Sequence, residues 1–180
     1  MKNTYALLAL SIFLLLGCSK DNPVNPEPEP VDTQIATYVR LDFVPIDGGM
    51  PAYIDIAYDK KAGTYSSSGS SLRPDKTYSV NLTLEDRRQN PVKNIKNEIA
   101  AHPNDYQVFY TVSDATKLSF SYNDIDGKGF PIGISTKATT SAGSSNPTLK
   151  ILIKYAPGKK DGNINTGTTV FETIKVMSIL

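Results

Sequence analysis

Two carboxylates one residue apart, Asp124 and Asp126, lie in Asn123-Asp124-Ile125-Asp126-Gly127-Lys128-Gly129-Phe130-Pro131-Ile132-Gly133. Oxygen atoms at that spacing can face one hard cation, and calcium takes about six to eight of them at ~2.3–2.6 Å. The EF-hand rhythm is broken here at Gly127-Lys128, and no glutamate follows where it would close such a loop. Two outcomes are open for the pair: a structural calcium ion, or an ordinary turn in which Lys128 offsets the repulsion of the two acids. A second loop offers Asp161, Asn163 and Asn165 at alternate positions, but the adjacent Lys159 and Lys160 argue for a solvated hairpin loop.

Other chemistries have little to work with. One Cys and one His among 180 residues exclude a disulfide framework, a Cys-rich zinc or iron–sulfur centre, and a multi-histidine metal site within one chain. The lone His102 precedes Pro103 at the end of the one expected helix, where a cationic side chain is favourable for electrostatic reasons alone. There is no Gly-x-Ser-x-Gly elbow and no HExxH, and Glu85-Asp86 stands beside Arg87-Arg88 in a turn rather than as a spaced acid pair. Catalysis is not expected. The ten tyrosines remain: Tyr58, Tyr78 and Tyr122 fall on expected core faces, whereas Tyr38, Tyr53 and Tyr110 need not, and exposed tyrosine suits interfaces.

The elements that must position these residues are strands. Val39, Leu41 and Phe43 alternate with polar neighbours, as do Ile54, Ile56 and Tyr58, and then Tyr78, Val80, Leu82 and Leu84. Further strands are expected at 107–112, 117–123, 132–137, 148–155 and 169–177, with the serine run 66–71 as a hairpin tip or loop. Only 91–101 reads as helical, with Asn90 as N-cap and Val92, Ile95 and Ile99 on one stripe. About eight strands without βαβ alternation predict an all-β antiparallel sandwich, immunoglobulin-like or jelly-roll-like, over residues 35–180.

Ahead of that domain the chain carries an address. A short basic start and the apolar run Ala6 to Leu16 form a secretory signal over residues 1–17, too short for the roughly 20 apolar residues of a membrane span. It ends in Leu15-Leu16-Gly17-Cys18, which resembles the bacterial lipobox, so Cys18 is expected to be lipidated and to hold the chain to the bilayer. Ser19-Lys20-Asp21-Asn22 resembles a surface-export signal of Bacteroidota lipoproteins, and the Pro- and Glu-rich stretch that completes residues 18–34 reads as an extended tether. With a formal charge of +1 and pI near 7.7, nucleic acid is not an expected partner.

The order of segments also carries a resemblance. Val39-Arg40-Leu41-Asp42-Phe43, Leu72-Arg73-Pro74-Asp75-Lys76-Thr77-Tyr78, Asp105-Tyr106-Gln107-Val108-Phe109-Tyr110, the Tyr122 to Gly133 stretch and Leu149-Lys150-Ile151-Leu152-Ile153-Lys154-Tyr155 together resemble small Bacteroidota lipoproteins often labelled type 1 periplasmic binding fold proteins. That label implies an α/β fold, whereas the strand pattern keeps the expectation at a β-sandwich. The resemblance implies an accessory lipoprotein of the outer membrane, at the cell surface, found with TonB-dependent receptors. It also implies a ligand-binding role for Tyr106 and Tyr155, which stand where such proteins carry histidine; tyrosines there suit ferric iron or haem better than zinc. The expected function is thus a non-enzymatic binding module assisting a TonB-dependent outer-membrane receptor in nutrient or metal uptake. The alternative is an adhesive sandwich binding a host or polymer surface.

Overall fold

A computed structural model describes residues 34–180; the expected signal peptide, Cys18 and most of the tether lie outside the described residues. Ten strands and one helix follow in the order β1 (Tyr38–Pro45), β2 (Ala52–Asp59), β3 (Thr64–Gly69), β4 (Thr77–Asp86), β5 (Lys93–Asn94), α1 (Ile95–Ala101), β6 (Tyr106–Val112), β7 (Leu118–Tyr122), β8 (Ser135–Thr140), β9 (Thr148–Tyr155) and β10 (Thr168–Val176). They form two antiparallel sheets, one ordered β3-β2-β1-β4-β8-β7 with β5 added beside β4, the other β10-β9-β6.

The sheets face each other because period-two alternation gives each an apolar side. Val39, Leu41 and Phe43 of β1, Ile54 and Ile56 of β2, and Tyr78, Val80, Leu82 and Leu84 of β4 meet Leu149, Ile151 and Ile153 of β9 and Phe171 of β10 in one core. Each such aliphatic side chain contributes about 1.5–3 kcal/mol by leaving water. Rings close both flanks of the sandwich. On one, Tyr65 of β3 meets Phe171 of β10 edge-on at 6.0 Å; on the other, Tyr110 of β6 stacks on Phe120 of β7 at 4.8 Å.

Three expectations are corrected. The serine run is not a tip: Thr64–Gly69 is edge strand β3, paired to β2 from Ile54↔Gly69 to Asp59↔Thr64. Its serines show no apolar alternation, so its strand character comes from pairing with β2 rather than from its own pattern. The helix begins four residues later than expected, with Asn94 rather than Asn90 as cap; the Asn94 side chain accepts from the Asn97 N–H, and Lys93 and Asn94 pair with β4 first. The strand expected at 132–137 is Ser135–Thr140, because Asp124 captures the backbone N–H groups of Gly133, Ile134 and Ser135.

Strand direction fixes which loops are neighbours. β1 begins where the chain enters the domain and lies beside the end of β4 (Tyr38↔Glu85), while the start of β6 lies beside the end of β9 (Tyr106↔Tyr155) and the end of β7 beside the start of β8. The connections at 87–94, 102–105, 123–134 and 156–167 therefore share the entry end of the sandwich. The opposite end carries the β1–β2 turn, with Ile46 60% and Met50 75% exposed.

Candidate functional site

A buried ion pair joins three of the entry-end loops. Lys160, in the β9–β10 connection, places Nζ 2.9 Å from Asp126 Oδ2 in the β7–β8 connection and donates to the carbonyl of Pro103, ahead of β6, at 2.8 Å. The two side chains are 3% and 0% exposed. Asp126 Oδ1 accepts from the backbone N–H groups of Lys128 and Phe130 at 2.8 and 2.9 Å. Burial by itself would push the Asp126 carboxyl up, but the Lys160 ammonium and those N–H donors outweigh it and hold the carboxyl below the usual range. The ion partner is thus Lys160, thirty-odd residues away in sequence, and not Lys128, which contributes its backbone instead.

Asp124 anchors the rest of the same loop. Its Oδ1 accepts from Gly133 N–H, and its Oδ2 from Ile134 and Ser135 N–H, all at 2.9 Å. The loop is thereby laid against β6, where Val108 N–H donates to Ile132 O at 2.8 Å and the Tyr110 hydroxyl donates to Gly133 O at 2.9 Å. Burial pushes the Tyr110 phenol well up, so it serves as a neutral donor.

Three of the four carboxylate oxygens of the expected calcium pair therefore accept backbone N–H groups and the fourth, Asp126 Oδ2, faces the Lys160 ammonium, and among the described residues no three His, Cys, Asp or Glu side chains gather into a metal-ligating group. A calcium ion would have to displace those donors. Millimolar calcium is expected to leave the melting temperature where a chelator leaves it. A rise with calcium that Asp126→Ala abolishes would refute this, since a bound cation stabilises by RT ln(1 + [L]/Kd).

Tyr106 and Tyr155 are brought together. They are register partners across β6 and β9, with ring centroids 4.7 Å apart and planes tilted by 36°. Tyr106 is nearly buried, whereas Tyr155 is 37% exposed and presents the pair to solvent. The Tyr106 hydroxyl donates to Glu98 Oε1 of α1 at 3.1 Å. Burial first, and that carboxylate second, push the Tyr106 phenol up to about 12. Glu98 is held below its usual range by Lys93, with burial opposing and the Tyr106 hydroxyl assisting. To act as a phenolate ligand Tyr106 would have to give up both its proton and the Glu98 contact, while the paired rings offer an aromatic surface with one exposed member.

Glu98 and Lys93 also line a polar cleft of about 280 Å³ with Asp86, Arg88 and Gln89. Asp86, itself buried, accepts from Arg88 and Gln89, and Arg88 reaches the Gln34 carbonyl at 2.7 Å. His102 caps α1: its backbone N–H donates to Glu98 and Ile99 carbonyls, and its Nδ1 lies 3.1 Å from Glu98 O. In the second acidic loop, Asp161 and Asn163 close successive turns by accepting from the N–H groups of Asn163 and Asn165, at 2.9 Å each.

Two features of this end escape a reading by residue type. Lys160 is adjacent to another lysine and carries no apolar pattern, so nothing in its neighbourhood marks it as buried. Gln107 alternates with Tyr106 and Val108 as a solvent-facing residue would, yet it is only 4% exposed, because the β9–β10 connection folds over that face. Comparison with protein-family models, with curated proteins and with solved structures returns no match to this chain.

Proposed function

We propose that the chain is a lipid-anchored, non-enzymatic binding module that stands at the outer membrane on a Pro-rich tether and assists a TonB-dependent receptor in nutrient or metal uptake. The observation that carries this reading is Leu15-Leu16-Gly17-Cys18 at the end of a short apolar run, followed at once by a Pro- and Glu-rich stretch and then by one β domain. In this reading the Tyr106–Tyr155 pair and the adjoining cleft at Glu98 are the contact surface for the receptor or its cargo. An exposed ring backed by a buried ring loses little freedom on binding, which suits such a role.

Anchoring and partnership are tested separately. Cys18→Ala is expected to move most of the protein from the membrane fraction to the soluble fraction, because each buried methylene of an acyl chain is worth about 0.8 kcal/mol. Sedimentation of the Cys18→Ala protein with membranes in high salt would refute the anchor. Co-purification with a TonB-dependent receptor from detergent-solubilised outer membrane is the expected result for the intact chain, weakened in Tyr155→Ala. Recovery of the intact chain without a receptor after crosslinking would refute the partnership.

A further inference from the structure

The outer face of the short sheet holds a polar group with nothing to bond. Gln107 Oε1 is buried, Gln107 as a whole is 4% exposed, and among the described residues no donor reaches that oxygen. A buried acceptor left so loses about 1–3 kcal/mol relative to its state in water, and buried polar groups are satisfied by protein or by ordered water in nearly every case. Gln107 opens onto a small pocket beneath the β9–β10 connection, lined also by Lys154, Asp161, Asn163 and Thr166, with a volume of about 10 Å³. That matches the space needed by a single water, which in addition requires about two to four polar partners. Gln107 and Lys154 are register partners, so the pocket lies on β6 and β9 one step inward from Tyr106 and Tyr155 and on the opposite face of the sheet.

We propose that this pocket is a binding site for one ordered water molecule, which donates one hydrogen to Gln107 Oε1 and the other to the Thr166 hydroxyl oxygen, whose own hydrogen is engaged with Asp161, and so bridges β6 to the loop at 161–166. The ligand has to be a donor, because the orphan atom accepts. The pocket's charged lining is Lys154, Asp105, Asp161 and Lys160, whose ammonium is already engaged with Asp126, so no unmatched positive charge is left to draw in an anion. The loop's carboxylate is committed within the loop: Asp161 Oδ2 accepts from the Thr166 hydroxyl and Asp161 Oδ1 from Asn163 N–H, so neither Asp161 oxygen is bare to attract a metal ion. The water thus fastens the β9–β10 connection to the sheet at a point separate from the Lys160 clamp.

The test is magnetic relaxation dispersion of solvent nuclei, which counts long-lived internal waters, on the full chain and on Gln107→Met and Gln107→Glu, with a high-resolution crystal structure of the unsubstituted protein. The unsubstituted protein and Gln107→Glu are expected to hold one more long-lived water than Gln107→Met, with density within hydrogen-bond distance of Gln107 Oε1 in the unsubstituted protein. Equal dispersion in the unsubstituted and Gln107→Met proteins would overturn the proposal. So would a crystal structure in which Lys154 Nζ bonds Gln107 Oε1 directly, a result independent of whether Gln107→Met folds. A peak whose occupancy follows added ammonium or potassium and vanishes in salt-free buffer would overturn it too, by assigning the site to a monovalent cation.

Discussion

Lys160→Ala is expected to destabilise the domain by about 3–5 kcal/mol, because it leaves the buried Asp126 carboxylate without its counter-charge. Against the roughly 5–15 kcal/mol that holds a typical domain together, that is a large share. The asymmetry between breaking and replacing the pair makes the result diagnostic. Lys160→Met with Asp126→Asn removes both charges while the Asn oxygen still accepts from the Lys128 and Phe130 N–H groups, so the double variant is expected to recover most of the loss. Lys160→Met with Asp126→Leu would leave those two N–H groups without the side-chain acceptor and should not recover it. Acid titration reads the same contact: the folded Asp126 carboxyl is held below its usual range, so its contribution is present above the unfolded value near pH ~4 and lost as the pH falls below it. Chemical denaturation at neutral pH and near pH 3 should show that loss in the unsubstituted protein and a smaller one in Lys160→Met. A cost under about 1 kcal/mol for Lys160→Ala, typical of an exposed pair, would refute the clamp.

The layered β architecture was legible because burial and alternation coincide. Val39, Leu41 and Phe43, then Tyr78, Val80, Leu82 and Leu84, and Leu149, Ile151 and Ile153 all point inward as their spacing predicts. Legibility failed where a segment's structure is set by partners distant in sequence. Apart from Tyr65, strand β3 is polar or glycine and exists because β2 offers it an edge, and Asn94 caps the helix because Lys93 and Asn94 pair with β4 first. The same holds for the site. The spacing of Asp124 and Asp126 points to a cation site or to a turn balanced by Lys128, whereas the donors the two acids take are backbone N–H groups at 128, 130 and 133–135 together with the Lys160 ammonium, and spacing alone does not report contacts across loops. Tyr106 and Tyr155 lie 49 positions apart and meet only because β6 and β9 pair in that register.

The remaining large effect falls on a glycine that alternation cannot explain. Gly133 has φ +91°, and a Cβ built there would lie 2.2 Å from the carbonyl oxygen of Val108 and 3.0 Å from its carbon. A side chain in that backbone region is strained by about 1–2 kcal/mol at any site. Here β6 would also have to retreat from a rigid backbone contact. Retreat would strain the bonds made on either side, from Val108 N–H to Ile132 O, from Gly133 N–H to Asp124 and from the Tyr110 hydroxyl to Gly133 O. Gly133→Ala is therefore expected to destabilise by more than about 3 kcal/mol, the range reached when strain and broken buried hydrogen bonds combine. Gly158 supplies the control. It has φ +70° with nothing within 4 Å of a built Cβ, so Gly158→Ala carries the conformational strain alone and is expected to lose only about 1–2 kcal/mol. The difference between the two, measured by denaturant unfolding, isolates the close approach of the β7–β8 connection to β6. Equal losses would show that β6 yields freely, and the loop that carries Asp124 and Asp126 would then not be the rigid support on which Tyr106 and the clamp depend.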